Sequence, residues 1–284
     1  MRSKQFVAVS CFLAVAIASM PPISRAREEK LKPEELVARH LDSIAPAEKR
    51  KAVKSRSTMG SVQVAFRVGG SGTLNGQGNI ISQGNSVRAG FSFTALEYPG
   101  EQIAFDGNKV TAAQSSPGNY PPLSRFLYEN DILLKEGLLF GSLSTNWALL
   151  DVAGRKPKLD SNGLKKIGGR QMYELKYTAR SSKGNMQAFL YFDPETYRHV
   201  RSQFKLEVPL PGLAKIQDSA ELVRYQIIEE FDQFNQVDGF TLPHSYKIEY
   251  TLDSPRGGIL TTWAHPIQRI VHDQSIERGL FSLQ

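Results

Sequence analysis

Five histidines, a single cysteine and a handful of neighbouring acids are the side chains of this 284-residue chain that could do chemistry. His40, His199, His244, His265 and His272 could bind a metal or carry a proton, but none stands in an HxxxH or HExxH spacing. Asp193 and Glu195 could form an acid–base pair. They flank Pro194 in the stretch LYFDPETYRHVRSQF, however, where Asp193 suits the first corner of a type I turn and Pro194 has its φ preset for the second. Gly69-Gly70-Ser71-Gly72 could cradle a phosphate, yet no helix follows to receive it, so it reads as a hairpin loop. His40 lies on an apolar stripe and reads as a packed histidine. G-x-S-x-G, P-loop and dinucleotide fingerprints are absent. No metal and no cofactor is expected, and an enzyme would have to assemble its site from scattered residues.

The amino-terminal residues point to export. Arg2 and Lys4 precede an apolar run from Phe6 to Met20, too short to span a bilayer, and Ser24-Arg25-Ala26 has the small residues a signal peptidase reads. Residues 1–26 are therefore expected to be a cleaved signal, with a retained anchor as the alternative. The only cysteine, Cys11, falls inside this leader, so no thiol nucleophile or disulfide is left in the rest of the chain, which must be stabilised by its core. Removing the leader leaves 32 basic against 28 acidic residues. That mild excess, gathered mainly at Lys49, Arg50, Lys51, Lys54 and Arg56 on what reads as the solvated face of a helix, is not a nucleic-acid surface. It would suffice for transient contact with anionic lipid head groups.

The elements that must position everything else are strands. Leu31 to Ser57 reads as helix broken at Pro46, with Leu36, Val37, His40, Leu41 and Ile44 in one stripe. From Val62 onward, segments alternate strictly: Val62, Val64, Phe66 and Val68; Tyr173, Leu175 and Tyr177; Val200, Ser202, Phe204 and Leu206; Tyr246, Ile248, Tyr250 and Leu252. Asp106-Gly107, Gly168-Gly169, the Asp193-Pro194 turn and Val237-Asp238-Gly239 join them as hairpins. Two helical patterns interrupt the strands, one carrying Leu123, Phe126, Leu127 and Leu134, the other Leu143, Trp147 and Leu150. The expected fold is mainly β (α+β): a single large antiparallel sheet of about ten strands. Its size forces it to curl, and a few helices cover its concave apolar face. The inner faces then touch the helices and a ligand held in a remaining cavity, or the helices alone in an ordinary core.

Four stretches resemble one family. ELVARHLDSIAPAEKRKAVKSRSTMGSV is similar to the opening helix and first strand of the periplasmic Lol-type lipoprotein carriers, the LolA-LolB-like superfamily. EQIAFDGNKVTA, LYFDPETYRHVR and FDQFNQVDGFTLPHSYKIEY resemble three of that group's hairpins, in the same order. The resemblance implies an unclosed half-barrel over residues 27–284 with a helical insert at about 117–157. It implies a monomeric, non-enzymatic periplasmic protein that holds acyl chains of lipoproteins or other lipids, with room for an envelope protein as a further partner. Cavity-lining candidates are then Val64, Phe66, Phe91, Phe93, Leu175, Tyr177, Phe204, Leu206, Ile248 and Tyr250, and lid candidates Phe126, Leu127, Trp147 and Leu150. These carriers hold the lid with an arginine just before a proline on an early strand. The corresponding stretch here, ISQGNSVRAGF, has neither in place, and Arg88 is the nearest arginine. A packed-core envelope protein without a lipid ligand is the second reading.

Overall fold

The computed structural model describes residues 31–181, 185–210 and 222–283. The leader expected over residues 1–26 lies outside the described residues. Two short helices open the chain, α1 (Pro33–Ile44) and α2 (Ala47–Ala52), with Pro46 between them. Five strands follow: β1 (Ser55–Val68), β2 (Gly72–Gln83), β3 (Ser86–Phe93), β4 (Gly100–Phe105) and β5 (Val110–Ala112). A covering segment then carries α3 (Pro122–Glu129), α4 (Ile132–Lys135) and α5 (Val152–Arg155), with 3-10 turns between α4 and α5. Seven more strands complete the sheet: β6 (Lys158–Ile167), β7 (Arg170–Thr178), β8 (Gln187–Phe192), β9 (His199–Pro209), β10 (Leu222–Val237), β11 (Phe240–Ser254) and β12 (Gly257–His272).

All twelve strands form one antiparallel sheet in the order β5-β4-β3-β2-β1-β12-β11-β10-β9-β8-β7-β6. Two hairpin meanders thus meet at a β1–β12 seam, where Arg56 pairs with His272 and Val64 with Trp263. The ends of the order, β5 and β6, do not pair with each other, so the half-barrel is open. Turn chemistry sets the hairpins. Asp238 and Gly239 both take positive φ, 50° and 75°, which a two-residue turn of matching twist requires. Asp193 Oδ1 accepts from the backbone N–H of Glu195 and Thr196. Asp106 Oδ1 does the same for Asn108 and Lys109.

Alternation decides which face is inside. Phe204 is buried while Lys205 is exposed, as period two demands. Three expectations need correction. The strands begin at Ser55, not Val62, because the polar run Ser55-Arg56-Ser57-Thr58 is buried under the covering segment rather than continuing the helix. Val200 does not share the face of Phe204: the register shift between Tyr191 and Phe192 turns it to the other side, where it packs with Met172 and Tyr191. Arg56 is not on a solvated helical face but on β1, 3% exposed.

Candidate functional site

The inner face of the sheet and the segment that covers it form the large apolar core cluster of the described residues, with the small Met172, Tyr191 and Val200 cluster on the other face. Val64, Phe91, Phe93, Leu175, Tyr177, Phe204, Ile248 and Tyr250 are buried in it, and Phe66 and Leu206 pack against it at its margin. From the cover come Phe126, Leu127 and Trp147, joined by Leu133, Leu134, Leu139 and Leu143. Leu150 does not join them. It is 37% exposed, because the local 3-10 turn sends Ala148 and Leu149 inward where helical spacing would have chosen Leu150.

The cover fills the concavity. Two gaps beneath it measure about 20 Å³, beside Phe91, Leu127 and Ile248, and about 40 Å³, beside Ile44, Arg56 and Phe240. Each has room for a water or two, whereas drug-sized ligands occupy roughly 300–1,000 Å³. Hollows of 440 and 660 Å³ lie open to solvent outside this core, with mixed linings: Lys176, Lys205 and Glu207 with Met186 in one, Lys32 and Asp160 with Leu31, Leu159 and Phe189 in the other.

What fixes the cover is a set of buried polar ties. Glu101 and Glu229 rise from the inner face, each 4% exposed or less. Glu101 accepts from the N–H of Leu123 and Ser124, capping the start of α3, and from Tyr98 Oη–H, whose oxygen in turn accepts from the Trp263 Nε1–H. Glu229 Oε1 accepts from Phe140 N–H and Tyr246 Oη, both at 2.8 Å. On α1, His40 Nε2 accepts from Trp147 Nε1 at 3.0 Å, and His40 Nδ1 donates to the Tyr197 carbonyl at 3.1 Å. On β1, Arg56 donates to the Ser142 carbonyl. Every fully buried hydrogen bond from the cover to the rest of the described residues therefore ends on one of four ionisable side chains: Glu101, Glu229, His40 and Arg56. No backbone-to-backbone bond joins residues 122–155 to a strand among the described residues. Arg88, the arginine nearest the place the resemblance indicated, reaches the Leu280 carbonyl and Gln102 and holds no part of the cover.

Glu101 and Glu229 were not among the candidates read from the sequence, although both carried a signal; His40 is packed, as its apolar stripe indicated, and Arg56 reads from the sequence only as part of a solvated basic face. Glu101 and Glu229 sit on the apolar parity of their strands, with Ile103 and Phe105, and with Ile227 and Phe231. A lone carboxylate on that parity is costly unless partnered. Burial pushes both carboxyls up to about 7, despite the hydrogen bonds that oppose the rise. Burial likewise lowers His40 to about 4 and holds His199 well below the usual histidine value.

His199, Ser202 and Glu229 are near one another, but they do not form a nucleophilic triad. Ser202 Oγ is 3.2 Å from His199 Nε2, whereas His199 Nδ1, which an orienting carboxylate would have to hold, has no partner. Gly141 of the cover seals that nitrogen: a Cβ there would lie 2.8 Å from it. No group of three His, Cys, Asp or Glu side chains among the described residues could hold a metal.

The raised carboxyls carry a pH signature. With folded values above the unfolded 4.5, they contribute stability that is complete below about 4.5 and lost as pH rises through about 7, about 3 kcal/mol for each group. Four histidines whose values burial lowers act in the opposite direction, and at about pH 6.5 their unfolded forms are still about half protonated. The carboxyls are therefore read as a difference: as pH rises from about 5 to about 8, the melting temperature of wild type should fall relative to that of the Glu101→Gln/Glu229→Gln double variant. Parallel curves for the two proteins would show that neither carboxyl titrates with a raised value.

No family model matches the chain, and no curated protein matches it. Among solved structures it is similar to a LolA superfamily protein from Nitrosomonas europaea (13% identity, 89% of this chain and 98% of that one, TM-score 0.46). It is also similar to a DUF1329 family protein from Desulfovibrio piger (12%, 89% and 98%, TM-score 0.43). A third is a Vibrio parahaemolyticus domain described for outer membrane lipoprotein sorting (14%, 86% and 97%, TM-score 0.38). Two of the three are named for the group that the sequence motifs resemble. At this distance no residue's role is carried over from them.

Proposed function

We propose that the chain is an exported, periplasmic binding protein whose inner sheet face receives acyl chains of lipoproteins or other envelope lipids when the 122–155 cover lifts. The observation that carries this is the attachment of the cover: side-chain ties and apolar packing, with no strand pairing to break. In the closed state the cover's leucines and phenylalanines occupy the place of the ligand. An entering chain gains roughly 0.8 kcal/mol for each buried methylene, so a dozen repay about 10 kcal/mol toward displacing them. No catalytic step, metal or cofactor is required. The leader supports export, and lipid, not nucleic acid, is the partner.

The tightness of the core favours a second reading, a packed envelope protein with no lipid ligand. Gly141 separates the two. Its φ is +48°, and a Cβ would meet His199 Nδ1 at 2.8 Å and Phe231 Cζ at 3.1 Å, so Gly141→Val wedges the cover away from the sheet. On the carrier reading, this variant binds a fluorescent fatty acid at least tenfold more tightly than wild type, because the cost of lifting the cover has already been met. Absence of acyl-probe binding by both proteins, with the variant's strand circular dichroism intact, would leave only the packed-core reading.

A further inference from the structure

We propose that the His40–Trp147 pair is an acid-sensitive latch on the cover: a second proton on His40 breaks the tie that holds Trp147 against α1 and the sheet. The proposal rests on the reading that the cover lifts. It adds one proton-dependent tie that favours lifting.

The donor pattern fixes the state of His40. The Tyr197 carbonyl can only accept, so Nδ1 carries the proton. The Trp147 indole N–H can only donate, so Nε2 must present its lone pair. A proton arriving at Nε2 points at another proton, and the bond turns from attraction to repulsion. The ring cannot turn away, since it is 1% exposed and packed 4.9 Å from the Phe192 ring.

The surroundings offer little to stabilise the cation. From α2, Arg50 adds a like charge. From β9, His199 stands 6.1 Å away, stacked on the Trp147 indole at 4.7 Å, and is itself held neutral by burial. From β8 and β10 come the uncharged rings of Phe192 and Phe231. Glu229 of β10 is the one acid nearby. It is separated from the imidazoles by Ser202 and engaged by Tyr246 of β11 and by Phe140 of the cover. The cover itself turns only the neutral Trp147 toward the pair.

In the lifted state His40 meets water and regains its ordinary value, so the open form binds the extra proton and the closed form does not. Each pH unit below about 6.5 then favours opening by about tenfold from this one group, until the closed-state value near 4 is reached, about 300-fold in total. Glu101 and Glu229 pull the other way between about 7 and 4.5, because their protonation favours closure. The latch is therefore read as a difference between proteins that share those carboxyls.

His40→Gln supplies that difference, since an amide oxygen can accept from Trp147 without titrating. Cover opening is followed as uptake of an apolar fluorescent dye from pH 7 to 4, with far-UV circular dichroism confirming that the sheet persists. The expected result is that wild type opens increasingly relative to His40→Gln as pH falls, by at least thirtyfold at pH 4.5. Parallel curves for the two proteins would overturn the latch. Should His40→Gln not fold, histidine NMR titration of the wild type decides: His40 must gain its proton together with dye uptake, and protonation near pH 6.5 without uptake rejects the proposal. An acyl probe is tested separately. Dye uptake that rises with acid in wild type relative to His40→Gln, without acyl binding, leaves the latch standing and removes the lipid reading. Acyl binding with the same pH dependence in both proteins does the reverse.

Discussion

Trp147→Ala is expected to strip the cover from the sheet while the sheet stays folded. Trp147 is fully buried, and removing such a side chain costs about 3–5 kcal/mol in lost transfer and cavity terms. It also leaves His40 Nε2 without its donor and His199 without its stacking partner. A loss of that size is a large part of the roughly 5–15 kcal/mol that holds a typical domain together. It falls on a segment with no strand pairing to the sheet, so it should appear as local opening. Dye uptake at neutral pH should rise strongly with strand circular dichroism nearly unchanged, and amides of residues 122–155 should exchange first. Loss of dichroism and gain of dye in one cooperative transition would mean that cover and sheet are a single unit.

The second large effect belongs to the inner face itself. Phe204 is 1% exposed and sits across from Ala188 and Ile227. Phe204→Glu places a carboxylate there with no partner, at a cost of several kcal/mol, and should abolish acyl binding and lower the unfolding midpoint severely. The control must lie on the wet face. Arg201 is a poor choice, because it is tied to Glu230, which also holds Lys247, and Arg201→Glu would set two carboxylates together. Lys205 is exposed, so Lys205→Glu should stay within about 0.5 kcal/mol of wild type and bind as wild type does. Equal damage from both substitutions would show that the two faces are not distinguished.

How much of this was legible follows from the range of each interaction. The hairpins were, because the DG, DPET and VDG turns encode their geometry within a few residues, and the inner faces were, because alternation is a local property. The cover was legible as apolar helix but not in detail: 3-10 spacing after Trp147 displaced Leu150 outward. The start of β1 was hidden because SRST carries no apolar alternation, and its burial depends on a cover more than 80 residues away, reached by Arg56 at Ser142. The ties of the candidate site were hidden for the same reason. Trp147 meets His40 across 107 residues and Phe140 meets Glu229 across 89, and neither pairing leaves a spacing motif in the chain.

The seam between β1 and β12 has a consequence for how the chain is made. Ten of the eleven strand pairings join neighbours in sequence, and all but the central one need only a turn or a short connection to form. The central pairing joins Arg56 to His272, 216 residues apart, and closes the largest loop in the molecule. Such a closure is entropically late, so the two meanders should gain structure first and dock afterwards in a slow, separate phase. Until the last strand exists, β1 is an exposed fourteen-residue edge with Val62 and Val64 on one face. A chain truncated before β12 leaves two long edges uncovered, β1 and β11, each a template for pairing with another chain, and should associate more readily than the finished protein.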